Sequence, residues 1–159
     1  MKQLPTVILR HRKENRNKCS LTPFETNPNF IFLTYPKDSF IDLSSYFLLS
    51  MQADPLTEED KGKGICLIDA TWHYASVMEK RLLSEQNIPL RSLPKEAKSA
   101  YPRKQTHCPD PTSGLASIEA LFLAYQTLHL ENKNLLDHYY WREDFLEKNY
   151  NLLLSLSKN

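Results

Sequence analysis

Three short runs of apolar residues have the length and composition of β-strands. They span residues 6–9, 30–34 and 65–68, and all are rich in β-branched or aromatic side chains. The third run is almost uniformly apolar, which is typical of a strand buried on both faces of a parallel sheet. We therefore predict three strands that share one sheet.

Residues 40–53 have no such clear period. Ser44 and Ser45 could cap a helix, so we predict a helix there, and a strand through residues 46–49 is the alternative. The charged stretch 54–63 follows as a loop. We expect it to separate an N-terminal α/β lobe, residues 1–60, from a second domain, residues 61–159.

The apolar spacing becomes helical after residue 69. It predicts an amphipathic helix over 72–86, a second over 118–128 with Ser117 as its N-cap, and a third over 134–156. Prolines exclude a long helix between these, where one short strand fits near residues 90–93. Strands that alternate with helices predict an α/β fold with a mostly parallel sheet.

Composition narrows the function classes. The chain has only three glycines, and its segment 61–64 (KGKG) lacks the rest of a Walker or dinucleotide loop, so a glycine-rich phosphate site is excluded. The three cysteines are widely spaced, which argues against disulfides and structural zinc and fits a reducing cytoplasm. No apolar run approaches the roughly 20 residues of a membrane span. We expect a cytoplasmic protein without a resident metal.

A net charge of +1 hides two basic segments. Residues 10–18 and 91–104 each carry five Lys or Arg side chains against one Glu. Together these segments would attract phosphate, and nearby tyrosines could stack on bases, so RNA is the expected partner. The side chains expected to contact RNA are Arg10, Arg12, Lys13, Lys18, Arg103 and Lys104.

The strongest candidate site follows the strand at residues 65–68. In a parallel sheet, ligands bind beyond the carboxyl ends of strands, and Asp69, Thr71 and Trp72 lie at that edge. Asp69 could instead cap the next helix. A second candidate is the loop 99–104 with segment 114–120, whose backbone groups could hold an adenine.

Four short patterns that follow one another along the chain, and a fifth near its N-terminus, resemble the DTW-domain superfamily of RNA aminocarboxypropyltransferases. The final two are similar to its ribosome-maturation branch, which modifies small-subunit rRNA. The patterns are D-x-T-W at 69–72, S-x-Y-x-R at 99–103, L-x-S-x-E-A at 115–120, W-R-E-D-F-L-E-K-N at 141–149 and K-C-S at 18–20.

That resemblance implies a SPOUT-like fold with a C-terminal trefoil knot and S-adenosylmethionine as donor. Asp69 would be the general base for a uridine-type nitrogen, since a carboxylate can accept the proton that this nitrogen loses. Trp72 would pack on the methionine part, because an aromatic face suits a sulfonium. The implied cofactor-binding residues are Ser20, Thr71, Trp72, Leu93, Tyr101, Ala116 and Ser117.

The RNA target stays open at this point. Small-subunit rRNA is our first expectation, with tRNA as the alternative, because the chain combines features of both branches. A SPOUT RNA methyltransferase and a non-enzymatic RNA-binding assembly factor are the other two hypotheses.

Overall fold

The computed structural model describes residues 2–102 and 114–158. Its central element is a five-stranded sheet in the order β2-β1-β4-β3-β5, in which the β1–β2, β1–β4 and β3–β4 pairs are parallel. The strands are β1 (Thr6–His11), β2 (Phe30–Tyr35), β3 (Tyr46–Pro55), β4 (Gly64–Asp69) and β5 (Leu90–Ser92). The α-helices are α1 (Trp72–Glu85), α2 (Ser117–Thr127), α3 (Arg142–Lys148) and α4 (Tyr150–Ser157), and 3-10 turns occupy Thr22–Phe24 and Glu58–Asp60.

The mixed α/β class and its parallel sheet are confirmed, as are the three apolar strands, helix α1 and the short strand β5. The two central strands are the most buried. Every residue of β1 is buried, and β4 is buried except at one position. This agrees with the apolar character of their sequences.

The helix predicted over residues 40–53 is wrong, and the alternative strand is correct. Strand β3 begins at Tyr46, and its first three residues are buried. The Tyr46 hydroxyl donates to the carbonyl of Pro5 at 2.8 Å, and its ring lies against Gly64, where a side chain would not fit. Pairing with β4 therefore outweighs any local preference for a helix.

Two helix boundaries also differ from the prediction. Ala116 is the N-cap of α2, and Ser117 is its first helical residue. The single long helix over 134–156 is wrong, because α3 and α4 are separate and Asn149 lies between them. The buried Asn149 side chain bonds to the backbone at Lys98 and Phe145, which explains the interruption.

The chain divides into two compact units. The first comprises Met1–Asp54 with Gly62–Ser92, and the second Pro55–Lys61 with Leu93–Asn159. These units do not follow the expected boundary near residue 60, because β4 lies between β1 and β3 in one sheet. The predicted functional division at that residue stays a prediction.

The core of the first unit lies between the sheet and α1. It is an aliphatic cluster with one tyrosine and one cysteine: Val7, Leu9, Leu43, Tyr46, Leu48, Cys66, Met78, Leu82 and Ile88. Within the described ranges, no helix is both long enough and apolar enough to cross a membrane.

Candidate functional site

Two charged side chains meet where β1 and β4 end. Arg10 and Asp69 are register partners in the parallel ladder, and both are buried, with 6% and 3% of their surface exposed. The Arg10 Nε donates to Asp69 Oδ2 at 3.0 Å. The predicted carboxylate therefore lies at the carboxyl edge of the sheet, and an arginine holds it there.

Cys19, in the connection between β1 and β2, contacts both members of this pair. Its thiol donates to the same Oδ2 atom at 2.9 Å, and its sulfur accepts from Arg10 Nη2 at 3.4 Å. Burial raises the pKa of Cys19 to about 12, and the neighbouring Asp69 charge adds to the effect. Cys19 therefore acts as a thiol hydrogen-bond donor at neutral pH.

The ligand atoms of Cys19 and Asp69 also lie within 4.8 Å of the Glu14 carboxylate. Metal ions bind cysteine as thiolate, which the raised pKa of Cys19 opposes, and the adjacent Arg10 guanidinium would repel a metal cation. The cluster is therefore better described as a hydrogen-bonded acid site.

Glu25 holds the other side of Arg10. Its Oε2 accepts from Arg10 Nη1 at 2.6 Å and from Arg16 Nε at 3.0 Å, and a further bond joins Arg16 to Oε1. The bonds from Arg16 and Arg10 lower the pKa of Glu25 to about 2. The Arg10 guanidinium also lies over the Phe32 ring, 4.8 Å from its centroid. A chain of alternating charges thus runs from exposed Arg16 to buried Asp69.

The turn after β4 carries the other predicted residues of this region. Thr71 is the N-cap of α1 and its side chain makes no capping bond, while Trp72 is the first helical residue and is half-buried. Asp69 is therefore not the helix N-cap. Ser20, next to Cys19, is also half-buried.

The basic segment that follows β1 contains both buried and exposed side chains. His11 is buried, stacks on Tyr74 at 4.0 Å and accepts the Lys13 backbone N–H at Nδ1. Burial, reinforced by the charges of Arg12 and Lys13, lowers the pKa of His11. Arg12, Lys13 and Lys18 are exposed.

Arg10 differs from its basic neighbours. We expected it to contact RNA phosphates, but its guanidinium is buried and donates to Asp69, Glu25 and Cys19. We therefore leave Arg10 out of the proposed RNA contacts. The predicted contacts at Arg103 and Lys104 lie outside the described residues.

A second polar centre lies in the other compact unit, at the start of α2. The Glu119 carboxylate has no exposed surface and accepts four hydrogen bonds. Oε1 accepts from the Ser99 hydroxyl and the Ala116 N–H, both at 2.7 Å. Oε2 accepts from the Ala100 N–H at 2.8 Å and the Tyr139 hydroxyl at 2.9 Å. Glu119 therefore fixes the 99–101 loop against the helix start.

Two of the residues predicted to bind adenine, Tyr101 and Ala116, are hydrogen-bonded within this centre. The Tyr101 N–H donates to Ser99 Oγ at 3.0 Å, and Ala116, bonded to Glu119, is buried. Ser117 is half-buried at the first turn of α2, and Leu93 is half-buried just after β5. The structure thus brings the Tyr101 and Ala116 backbones to one buried carboxylate.

Three side chains of these two polar centres were not predicted to have the contacts that they make. The sequence patterns did not identify Cys19 or Glu25 as partners of Asp69, and they included Glu119 only as one position of the 115–120 pattern. The K-C-S pattern at 18–20 was the available signal for Cys19. Glu25 carried no such signal, because burial is invisible in a single charged residue.

The family model described as the DTW domain matches residues 2–155. A search among curated proteins finds no match. Among solved structures, the SAM-dependent rRNA:acp-transferase Tsr3 from Vulcanisaeta distributa is similar, with a TM-score of 0.73 at 21% sequence identity. The alignment covers 98% of this chain and 84% of that chain. At this identity the likeness shows a shared fold.

Proposed function

The chain belongs to the DTW domain family, and on that premise we propose that it transfers an aminocarboxypropyl group from S-adenosylmethionine to a uridine-type base in RNA. The observation that carries the proposal is the buried Asp69 carboxylate at the end of β4, bonded to Arg10 and Cys19 and followed by Trp72. The likeness in fold to a SAM-dependent rRNA:acp-transferase supports it.

We assign Asp69 as the general base. A uracil nitrogen becomes nucleophilic as it loses its proton, and a carboxylate within hydrogen-bond reach can accept that proton. S-adenosylmethionine, when bound, supplies an electrophilic carbon on a sulfonium and a neutral leaving group, methylthioadenosine. Because Asp69 ends a buried strand, its backbone is fixed before substrate arrives, and orientation contributes strongly to such displacements.

The chemistry of the available side chains fits this donor. The half-exposed indole of Trp72 offers an aromatic face to a sulfonium, and Ser20 and Thr71 offer hydroxyl groups for an amino-acid end. For the adenine we retain the proposed residues Leu93, Tyr101, Ala116 and Ser117. Glu119 would keep the Tyr101 and Ala116 backbones in place for that role.

RNA is the proposed acceptor, with exposed Arg12, Lys13 and Lys18 as phosphate contacts. We propose small-subunit rRNA as the target ahead of tRNA, because the similar solved structure is described as an rRNA:acp-transferase. The SPOUT-like topology with its trefoil knot and the cytoplasmic location stay predictions that accompany this function.

The deciding experiment incubates the purified chain with S-adenosylmethionine and either small-subunit rRNA or tRNA, and identifies the products by mass spectrometry. Methylthioadenosine and an aminocarboxypropylated uridine support the proposal. S-adenosylhomocysteine would indicate a methyltransferase instead. RNA binding without any saturable S-adenosylmethionine binding would indicate a non-enzymatic factor.

Variants then test the assignment of the base. Asp69→Asn should slow transfer by about 100-fold or more, the usual contribution of a general base. Its affinity for S-adenosylmethionine should stay within about threefold of wild type, because Trp72 and not Asp69 is proposed to pack on the donor. Asp144→Asn, at an exposed position in α3, is the matched control. Wild-type turnover in Asp69→Asn would remove Asp69 from the mechanism.

A further inference from the structure

We infer that Arg10 is a positioning residue, which holds the Asp69 carboxylate in the orientation from which it accepts the proton. This inference rests on the proposed function, in which Asp69 is the base. It assigns a role to a buried arginine whose sequence neighbourhood indicated only phosphate binding.

The guanidinium of Arg10 is held on all sides. Nε donates to Asp69 at 3.0 Å, Nη1 to Glu25 at 2.6 Å and Nη2 to Cys19 at 3.4 Å. Its flat face lies over the Phe32 ring. A guanidinium fixed at three nitrogens and one face cannot turn, so the Nε–H that reaches Asp69 points in one direction.

Strand pairing alone would not fix the carboxylate. The β1–β4 register places the Cα atoms of residues 10 and 69 opposite each other, but the terminal torsion of an aspartate is broad. Arg10 and the Cys19 thiol both donate to Oδ2, and together they hold that torsion. A displacement of about 1 Å at a reacting group can cost about 100-fold in rate.

Glu25 anchors the other end of the Arg10 guanidinium. Arg10 carries one positive charge and divides it between the carboxylates of Asp69 and Glu25. Exposed Arg16 then pairs with Glu25 from the solvent side. Arg10 is thus anchored from the side opposite Asp69, which keeps its Nε–H directed at the Asp69 carboxylate.

A double-mutant cycle on the full chain tests the inference. Arg10→Met should lower kcat for methylthioadenosine formation by about 30- to 100-fold, with the KM for S-adenosylmethionine within about threefold. Arg10→Lys should recover part of that loss. In an Asp69→Asn background, Arg10→Met should cost less than about twofold more, because a residue that acts through Asp69 has nothing left to orient.

Arg81→Met, an exposed arginine of α1, is the matched control and should retain wild-type kcat. If Arg10→Met does not fold, Arg10→Lys replaces it in the cycle, since it removes the guanidinium fork and keeps the buried positive charge. Equal losses in the wild-type and Asp69→Asn backgrounds, or a change confined to KM, would overturn the inference alone. A wild-type chain that forms no methylthioadenosine would overturn the proposed function and this inference with it.

Discussion

Removing the Glu119 carboxylate should be among the most damaging single substitutions in the chain. Glu119 is fully buried in the first turn of α2 and accepts from four donors. Two donors, the hydroxyls of Ser99 and Tyr139, can rotate toward another acceptor. The other two, the backbone N–H groups of Ala100 and Ala116, cannot.

The magnitude follows from that division. A buried donor left without an acceptor costs about 1–3 kcal/mol, so Glu119→Ala, which strands two fixed amides, should lower the unfolding free energy by about 4 kcal/mol. Glu119→Gln keeps one carbonyl oxygen, and its amide group faces only one of the two fixed N–H groups. Its loss should therefore be about 2 kcal/mol.

Urea unfolding followed by circular dichroism measures both values. Glu147→Ala and Glu147→Gln, at an exposed position in α3, are matched controls and should change the unfolding free energy by less than about 0.5 kcal/mol. The distinction between fixed and rotating donors would be refuted if Glu119→Ala lowered the unfolding free energy no more than Glu147→Ala does. It would also be refuted if Glu119→Gln lowered the unfolding free energy more than Glu119→Ala does.

Three further outcomes are expected. Burial raises the pKa of Cys66 from 9.0 to about 12, so the stability that its thiol contributes is complete below pH 9 and is lost as pH rises toward 12. The unfolding free energy measured between pH 8 and 11 should therefore fall less steeply in Cys66→Ala than in the wild type. Arg16 and Arg10 lower the pKa of Glu25 from 4.5 to about 2, so the stability that this carboxylate contributes is complete above pH 4.5 and is lost as pH falls toward 2. The unfolding free energy measured between pH 5 and 2 should therefore fall less steeply in Glu25→Gln than in the wild type. Replacing Arg12, Lys13 and Lys18 together by Ala should weaken RNA binding and reduce the slope of log affinity against log salt by about 2 to 3; an unchanged slope in filter-binding assays would place the phosphate contacts elsewhere.

The sequence predicted those parts of the fold in which local pattern and tertiary packing agree. Strands β1 and β4 are apolar because both of their faces are covered, so composition alone identified them. The helix predicted over residues 40–53 was wrong because the two serines before β3 resembled a helix cap, whereas β3 forms by pairing with β4, the next strand along the chain. The predicted third helix failed for a similar reason, since Asn149 bonds to Lys98 across about 50 residues of chain.

The candidate site shows where such reasoning reaches its limit. Asp69 could be found because it follows a recognisable strand, and sheet topology says which strand ends collect ligands. Arg10 occupies the same edge, on the neighbouring strand, yet its position in a run of basic residues indicated a solvent-exposed phosphate contact. The two interpretations of Arg10 differ only in burial, and its burial follows from pairing with Asp69, 59 positions away. A charged residue directly after apolar strand positions is therefore better treated as a partner for the next strand's terminal acid than as part of the basic segment beyond it.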